Sequence, residues 1–170
     1  MSDNSSNSSF QLRSPAATKR LGRALGARLE PHDFIALRGT LGAGKTLFVR
    51  AAAEGAGVPE SEATSSPTFA LAHVYRGGRV PLLHLDLYRL QGKADLFSIG
   101  FDDMLAEPVA ALCEWPERAE EALPEERLEI ALEHDGETQR KVSFRALGAR
   151  AEALRDALIH VLAPSKRSAR

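Results

Sequence analysis

Residues 33–55 read DFIALRGTLGAGKTLFVRAAAEG, and three successive parts of that stretch have different physical characters. Phe34, Ile35, Ala36 and Leu37 form an apolar run that ends in Arg38 and Gly39. A run without polar alternation is how a strand buried on both faces reads, as at the centre of a parallel sheet. Gly39, Gly44, Lys45 and Thr46 then stand at the spacing G-x-x-x-x-G-K-T. Backbone N–H groups in such a loop turn inward and cradle phosphates. The lysine reaches the outer phosphates, and the threonine hydroxyl serves Mg²⁺. A helix is expected from near Gly44 to about Glu54, closed by Gly55, Gly57 and Pro59. Its N-terminus adds a dipole that favours bound anions. Strand, Gly-rich loop and helix in direct succession separate a nucleotide grip from a chance turn. The whole loop, Gly39, Thr40, Leu41, Gly42, Ala43, Gly44, Lys45 and Thr46, is therefore assigned to nucleotide binding.

The chain around this stretch has 170 residues, enough for one domain with a real core and little more. Residues 1–8 are Ser- and Asn-rich and are expected to be a disordered tail, 9–162 to be the domain, and 163–170 a basic tail. A net charge of -1 gives no global field toward nucleic acid or anionic membrane, so any contact with RNA is expected to be local or made by a partner. The single cysteine, Cys113, forms no internal disulfide, which fits a reducing compartment. The polar start MSDNSSNSSF has no apolar core of a signal peptide. No apolar run approaches the ~20 residues of a membrane span. The expectation is a cytoplasmic protein.

Further elements follow from pattern. SFQLR is a candidate edge strand. Ser14-Pro15 reads as a helix N-cap with proline in the first turn, and Leu21, Leu25 and Leu29 mark a buried helix face running to Pro31. FALAHVY and VPLLHLDLYRL read as strands around a tight Gly77-Gly78 turn. Residues 92–106 are weakly helical with a break at Gly100. VAALCEW is a buried strand stopped by Pro116, and residues 127–147 form a hairpin around Asp135-Gly136. Leu154, Leu158 and Leu162 place a last helix. The expected fold is a single α/β domain like that of P-loop NTPases: a mostly parallel sheet flanked by helices, with an added antiparallel hairpin.

Three further places carry candidate chemistry. On the LLHLDLYRL strand, period two puts His84, Asp86 and Tyr88 on one face. An Asp at the end of an apolar strand downstream of a phosphate loop is the expected second Mg²⁺ holder; the bland alternative is a strand-end residue satisfied by a turn. His84 and Tyr88 read as structural neighbours. Glu114 ends the ALCEW strand, where open α/β sheets place their ligands, and either positions an attacking water or holds Mg²⁺; both roles stay open. Trp115 packs on the nucleotide base, on a partner or in the core, while Cys113 alternates away into the core. Residues 60–68, ESEATSSPT, read as a polar loop, in which Ser66, Pro67 and Thr68 lie at the place of a nucleotide-sensing switch; a bland loop is the alternative.

The succession LRGTLGAGKTLF, SSPTF, HLDLYRL, GFDDML, EWPE and a C-terminal hairpin resembles the bacterial TsaE (YjeE) family, from about Thr18 to about Phe144. The resemblance implies a P-loop ATPase that binds ATP and Mg²⁺ and hydrolyses ATP slowly by itself. It further implies work with TsaB and TsaD in making threonylcarbamoyladenosine on tRNAs that read codons beginning with A. TsaD carries out the transfer there, and the ATP cycle of TsaE resets the complex. On this pattern Lys45 and Thr46 grip phosphate and metal, Asp86 and Glu114 are the acidic pair around Mg²⁺ and water, and Trp115 lies near the nucleotide. Phe69 replaces a frequent Tyr of the family, and Thr40 a frequent acidic residue.

Two other readings compete. A small-molecule kinase needs an Arg-bearing lid, for which residues 116–127 offer Arg118 and Arg127. A nucleotide-gated, non-enzymatic binding module needs only the grip. No N-K-x-D motif for guanine is present, which argues against a GTPase.

Overall fold

Phe34–Arg38 (β2) is the strand that the apolar run predicts, and both of its faces are covered. Ile35 and Leu37 pack into one core layer, Phe34 and Ala36 into another. In the computed structural model, which describes residues 9–63 and 71–163, β2 is the middle strand of seven. The other elements are β1 (Ser9–Leu12), α1 (Pro15–Gly26), α2 (Lys45–Gly55), α3 (Glu60–Ala63), β3 (Ala72–Tyr75), β4 (Leu82–Asp86), α4 (Lys93–Ser98), α5 (Phe101–Ala106), β5 (Ala110–Glu114), β6 (Arg127–His134), β7 (Arg140–Leu147) and α6 (Ala149–Leu162). Two short 3-10 turns, Pro116–Arg118 and Glu120–Ala122, connect β5 to β6.

The strand order is β1-β7-β6-β2-β5-β4-β3. The four central strands β6, β2, β5 and β4 are parallel, while β3 at one edge and β7 and β1 at the other are antiparallel. The sheet is thus mixed with a parallel centre, and the expected hairpin supplies both the last parallel strand and the first antiparallel one. Helices α1, α2 and α6 cover one face through Leu21, Leu25, Phe48, Val49, Leu154 and Leu158. Leu96 of α4 and Phe101 of α5 cover the other face of β2, β5 and β4. Cys113 lies in that second layer, where burial pushes its thiol pKa up.

Local signals explain most boundaries. Ser14 is extended (φ -163°), its hydroxyl accepts the Ala17 N–H at 3.2 Å, and Pro15 follows as the first helical residue. Helices α1 and α2 then touch backbone to backbone. A Cβ on Gly26 would lie 1.8 Å from the Ala52 carbonyl oxygen, and one on Gly55 2.1 Å from that of Arg23. The break at Gly100 is present, with φ +75° separating α4 from α5.

Several expectations need correction. Helix α1 stops at Gly26, so Leu29 is buried from the turn beyond it rather than from the helix. Strand β4 ends at Asp86, so Tyr88 lies beyond the strand rather than on it. The Asp86 carboxylate accepts the Tyr88 N–H at 3.1 Å, which turns the chain there. Gly77 and Gly78 belong to a six-residue connection between Tyr75 and Leu82, not a two-residue turn. The β6–β7 connection likewise spans residues 135–139, closed by Asp135 N–H donating to Gln139 C=O at 3.1 Å. Glu60–Ala63, read as loop, is a short helix. Of the expected FALAHVY strand, residues 69 and 70 lie outside the described residues, as do the tails 1–8 and 164–170. Among the described residues, no helix is long and apolar enough to cross a membrane.

Candidate functional site

The loop after β2 is shaped by two glycines. Gly39 has φ +150°, and a Cβ there would lie 2.5 Å from the Leu132 carbonyl oxygen of β6, so the loop leaves the sheet where only glycine fits. Gly44 has φ +101° and precedes α2, whose first turn has no side-chain cap. The uncapped N–H groups are donors available to an anion.

A cleft of about 610 Å³ opens beside this turn. Leu41, Gly42, Gly44, Lys45, Thr46 and Leu47 form one wall; Asp86, Tyr88, Glu114 and Trp115 form the other. The parallel register accounts for the meeting: Asp86 pairs with Glu114, and Glu114 with Leu37, so β4, β5 and β2 end at one level beside the loop. This is the C-terminal end of the parallel strands, the usual ligand crevice of open α/β sheets. A second cavity, about 270 Å³, lies at the opposite end of the strands. Its Asp33 and Arg150 already pair with each other at 2.8 Å.

Inside the cleft, Thr46 Oγ1 is 3.1 Å from both carboxylate oxygens of Glu114. His84 Nε2 is 2.9 Å from Glu114 Oε1. A carboxylate only accepts, so with Glu114 ionised the imidazole Nε2 carries the proton. The buried Nδ1 of His84 has no partner among the described residues. Both side chains are buried, at 5% and 3% exposure. His84 is thus a direct partner of the candidate acid, beyond the neighbour its position suggested. Its alternation with Asp86 was the available signal for this.

The Lys45 ammonium donates to the carbonyls of Gly39 at 2.5 Å and Thr40 at 3.0 Å, and lies 3.9 Å from the centre of the Trp115 ring. Burial pulls its pKa below the ordinary lysine value, while Glu114, Glu117 and Asp86 pull the other way. Trp115 reaches this position through a left-handed backbone, φ +59° and ψ +48°, between β5 and Pro116. Such a conformation costs a non-glycine residue about 1–2 kcal/mol and redirects the side chain from the strand toward the cleft. Tyr88 packs on Trp115 with ring centres 4.9 Å apart.

The donor set fits a metal that arrives with a nucleotide. Among the described residues, no group of three or more His, Cys, Asp or Glu could hold a metal ion alone. Mg²⁺ is commonly held by one or two carboxylates plus substrate phosphates, and the Thr46 hydroxyl, Asp86 and Glu114 supply hard oxygens of that kind.

The structure therefore gathers Leu41, Gly42, Gly44, Lys45, Thr46, Asp86, Glu114 and Trp115 in one cleft. Gly39, Thr40 and Ala43 complete the loop without lining it, and Ser66, Pro67 and Thr68 lie outside the described residues. Asp86 also meets its bland alternative, since one of its oxygens caps the turn to Tyr88. Of the two arginines considered for a kinase lid, Arg127 is tied to Glu120, Glu129 and the Pro124 carbonyl. Arg118 lies 5.7 Å from the Tyr88 ring. Two residues had no local signal: Arg140 and His134 reach the loop from the distant hairpin, with Arg140 Nε 2.9 Å from the Ala43 carbonyl.

A seven-stranded mixed sheet flanked by helices, with a Gly-rich G-K-T turn running from its central strand straight into a helix, makes this a single-domain protein of the α/β class. The chain belongs to the TsaE family: the model of the family described as threonylcarbamoyl adenosine biosynthesis protein TsaE matches residues 12–142. A Bacillus subtilis (strain 168) protein named tRNA threonylcarbamoyladenosine biosynthesis protein TsaE is 37% identical over 140 residues, which cover 82% of this chain and 86% of that protein. Proteins of the same name from Treponema pallidum and Streptomyces coelicolor are 41% and 39% identical, over 71% and 78% of this chain and 87% and 92% of their own lengths. The crystal structure of Bacillus subtilis YdiB superposes with a TM-score of 0.76 at 32% identity, covering 91% of this chain and 95% of that one.

Proposed function

We propose that this chain is an ATP-binding and ATP-hydrolysing subunit of tRNA threonylcarbamoyladenosine biosynthesis, working in the cytoplasm with TsaB and TsaD. The observation that carries the reading is the Thr46 hydroxyl held 3.1 Å from both Glu114 oxygens, in a cleft that Lys45 and Asp86 also line. The domain responsible is residues 9–162.

Each residue has a role on this reading. Lys45 exchanges the carbonyls of Gly39 and Thr40 for the outer phosphate oxygens of ATP. The N–H groups of the loop and of the first turn of α2 bind the remaining phosphates. Thr46 and Asp86 hold Mg²⁺, and Glu114 orients the attacking water. The metal, when bound, offsets the negative charge on the phosphate oxygens. Trp115 and Tyr88 form the wall opposite the loop.

Among the described residues, no arginine lines the cleft. An arginine finger contributes ~10³–10⁵ in rate to related phosphoryl transfers, so turnover by the chain alone is slow. TsaB and TsaD complete the site, the cycle resets their complex, and tRNA is met only through it. Arg127, occupied by two glutamates, is not available as a kinase lid.

The test is phosphate release from ATP by the full chain alone, with TsaB and TsaD, and with Glu114→Ala. The reading expects stimulation by the partners that the variant loses while still binding ATP. Equal rates with and without partners would count against the assembly. A Glu114→Ala variant that still supports cycling would leave only a nucleotide-gated binding module.

A further inference from the structure

The geometry points to Arg140 as a positioning residue of the phosphate loop, acting from behind it through the loop's own carbonyl groups. Arg140 opens β7 and is paired across the hairpin with His134, the last residue of β6. Its Nε donates to the Ala43 carbonyl at 2.9 Å and its Nη2 to the Gly42 carbonyl at 3.1 Å. His134 Nε2 lies 3.4 Å from the Leu41 carbonyl. Three consecutive carbonyls of the loop thus face the hairpin.

The consequence follows from peptide geometry. The described peptides are trans, so each C=O and the N–H of the next residue point in opposite directions. Fixing the Ala43 carbonyl on Arg140 turns the Gly44 N–H the other way. Gly44 lines the cleft and Arg140 does not. The Ala43 N–H is already used by the Thr40 carbonyl at 3.1 Å, so the loop is braced from within as well as from behind. A peptide whose carbonyl accepts from a cation is polarised, which strengthens its N–H as a donor.

Charge adds to orientation. The remaining acceptors of Arg140 are the carbonyls of Gln139 at 2.7 Å and of Gly136 and Glu137 at 3.4 Å. Among the described residues, no carboxylate lies within 4.0 Å of its guanidinium, in contrast to Arg38, Arg127 and Arg150. The guanidinium thus has no carboxylate in direct contact, and its charge adds to the field that phosphates meet in front of the loop. The hairpin tip is itself tied down, since Gln11 Nε2 of β1 donates to Asp135 at 2.9 Å and to Gln139 at 3.0 Å.

This inference rests on the nucleotide reading of the cleft, and the experiment separates the two. Equilibrium binding of MgATP and of AMP is measured for the wild-type chain, Arg140→Met, Arg140→Lys and, as a control for lost charge elsewhere, Arg155→Met. The expected result is a loss of MgATP affinity of about ten- to a hundredfold in Arg140→Met, the range of charge-assisted hydrogen bonds. The loss for AMP is much smaller, Arg140→Lys falls between, and Arg155→Met matches wild type. MgATP affinity within twofold of wild type in Arg140→Met overturns the inference and leaves the nucleotide reading intact. The same factor lost for MgATP and AMP also overturns it, because a smaller competent population weakens every ligand equally. A wild-type chain that binds neither nucleotide overturns both readings. Should Arg140→Met not fold, Arg140→Gln and Arg140→Lys carry the same ratio of MgATP to AMP losses.

Discussion

His84 Nε2 lies 2.9 Å from Glu114 Oε1, and the two side chains are buried together on the face of the sheet that α2 covers. The contact fixes one oxygen of the carboxylate while Thr46 reaches both. Removing the imidazole leaves Glu114 buried with one donor fewer, a loss of about 1–3 kcal/mol for an unsatisfied group. His84→Leu is expected to lower ATP turnover by about tenfold or more, with ATP affinity nearly unchanged. His84→Gln, which keeps an N–H donor at similar reach, should recover most of the rate. Steady-state turnover beside equilibrium ATP binding checks this, and a matching fall in affinity would point to general damage instead.

Trp115 is the only tryptophan, and the Lys45 ammonium lies 3.9 Å from its ring centre. When phosphate draws Lys45 away, the indole loses a cation from its face. Its emission should change saturably on titration with MgATP. Lys45→Met should start from a different emission and show no response at the same concentrations. An ATP response of wild-type size in that variant would rule out this coupling.

Glu129 is 6% exposed and sits between Arg38 and Arg127, with salt bridges of 3.3 and 2.8 Å. Burial raises its pKa, but the two guanidinium groups outweigh burial and hold it below the ordinary 4.5. A depressed carboxylate stabilises the fold fully above its unfolded value, and that contribution disappears as pH falls through the folded value. Glu129→Gln should therefore cost about 3 kcal/mol at neutral pH. The difference from wild type should shrink as pH drops below about 4.5, the ordinary carboxyl value. Thermal melts from neutral pH downward measure it, and a gap that widens in acid would contradict the sign.

Gly26→Ala should be among the most damaging small changes in the chain. The added Cβ would lie 1.8 Å from the Ala52 carbonyl oxygen, and neither backbone can yield without separating α1 from α2. The expected loss is about 3 kcal/mol or more, the upper end for overpacked cores. Chemical denaturation of the variant beside Ala27→Gly, an exposed neighbour, isolates the effect of the crossing.

Much of this was legible in local sequence because local physics sets it. The unbroken apolar run of β2 suits a strand covered on both faces, and the glycines behind it suit a tight turn with positive φ. Ser14-Pro15 caps α1 through atoms three residues apart, and Gly100 breaks the helical stretch through its own backbone angle. Strand ends were less legible. Asp86 stops β4 by capping Tyr88, a choice that competes evenly with continuing the alternation until neighbouring strands decide it.

The sequence by itself determined the class of fold and singled out the Gly-rich loop at residues 39–46 and the acids at 86 and 114, because each depends on residue type and short spacing. Only the tertiary structure decided which residues serve these groups. His84 meets Glu114 because β4 and β5 run side by side in one register. Trp115 faces Lys45 because its backbone turns left-handed after β5. Arg140 braces a loop nearly a hundred residues before it because β6, bonded along β2, carries the hairpin to the loop's far side. Such contacts depend on strand order and register, which arise from the packing of the whole sheet, so no local stretch of sequence records them.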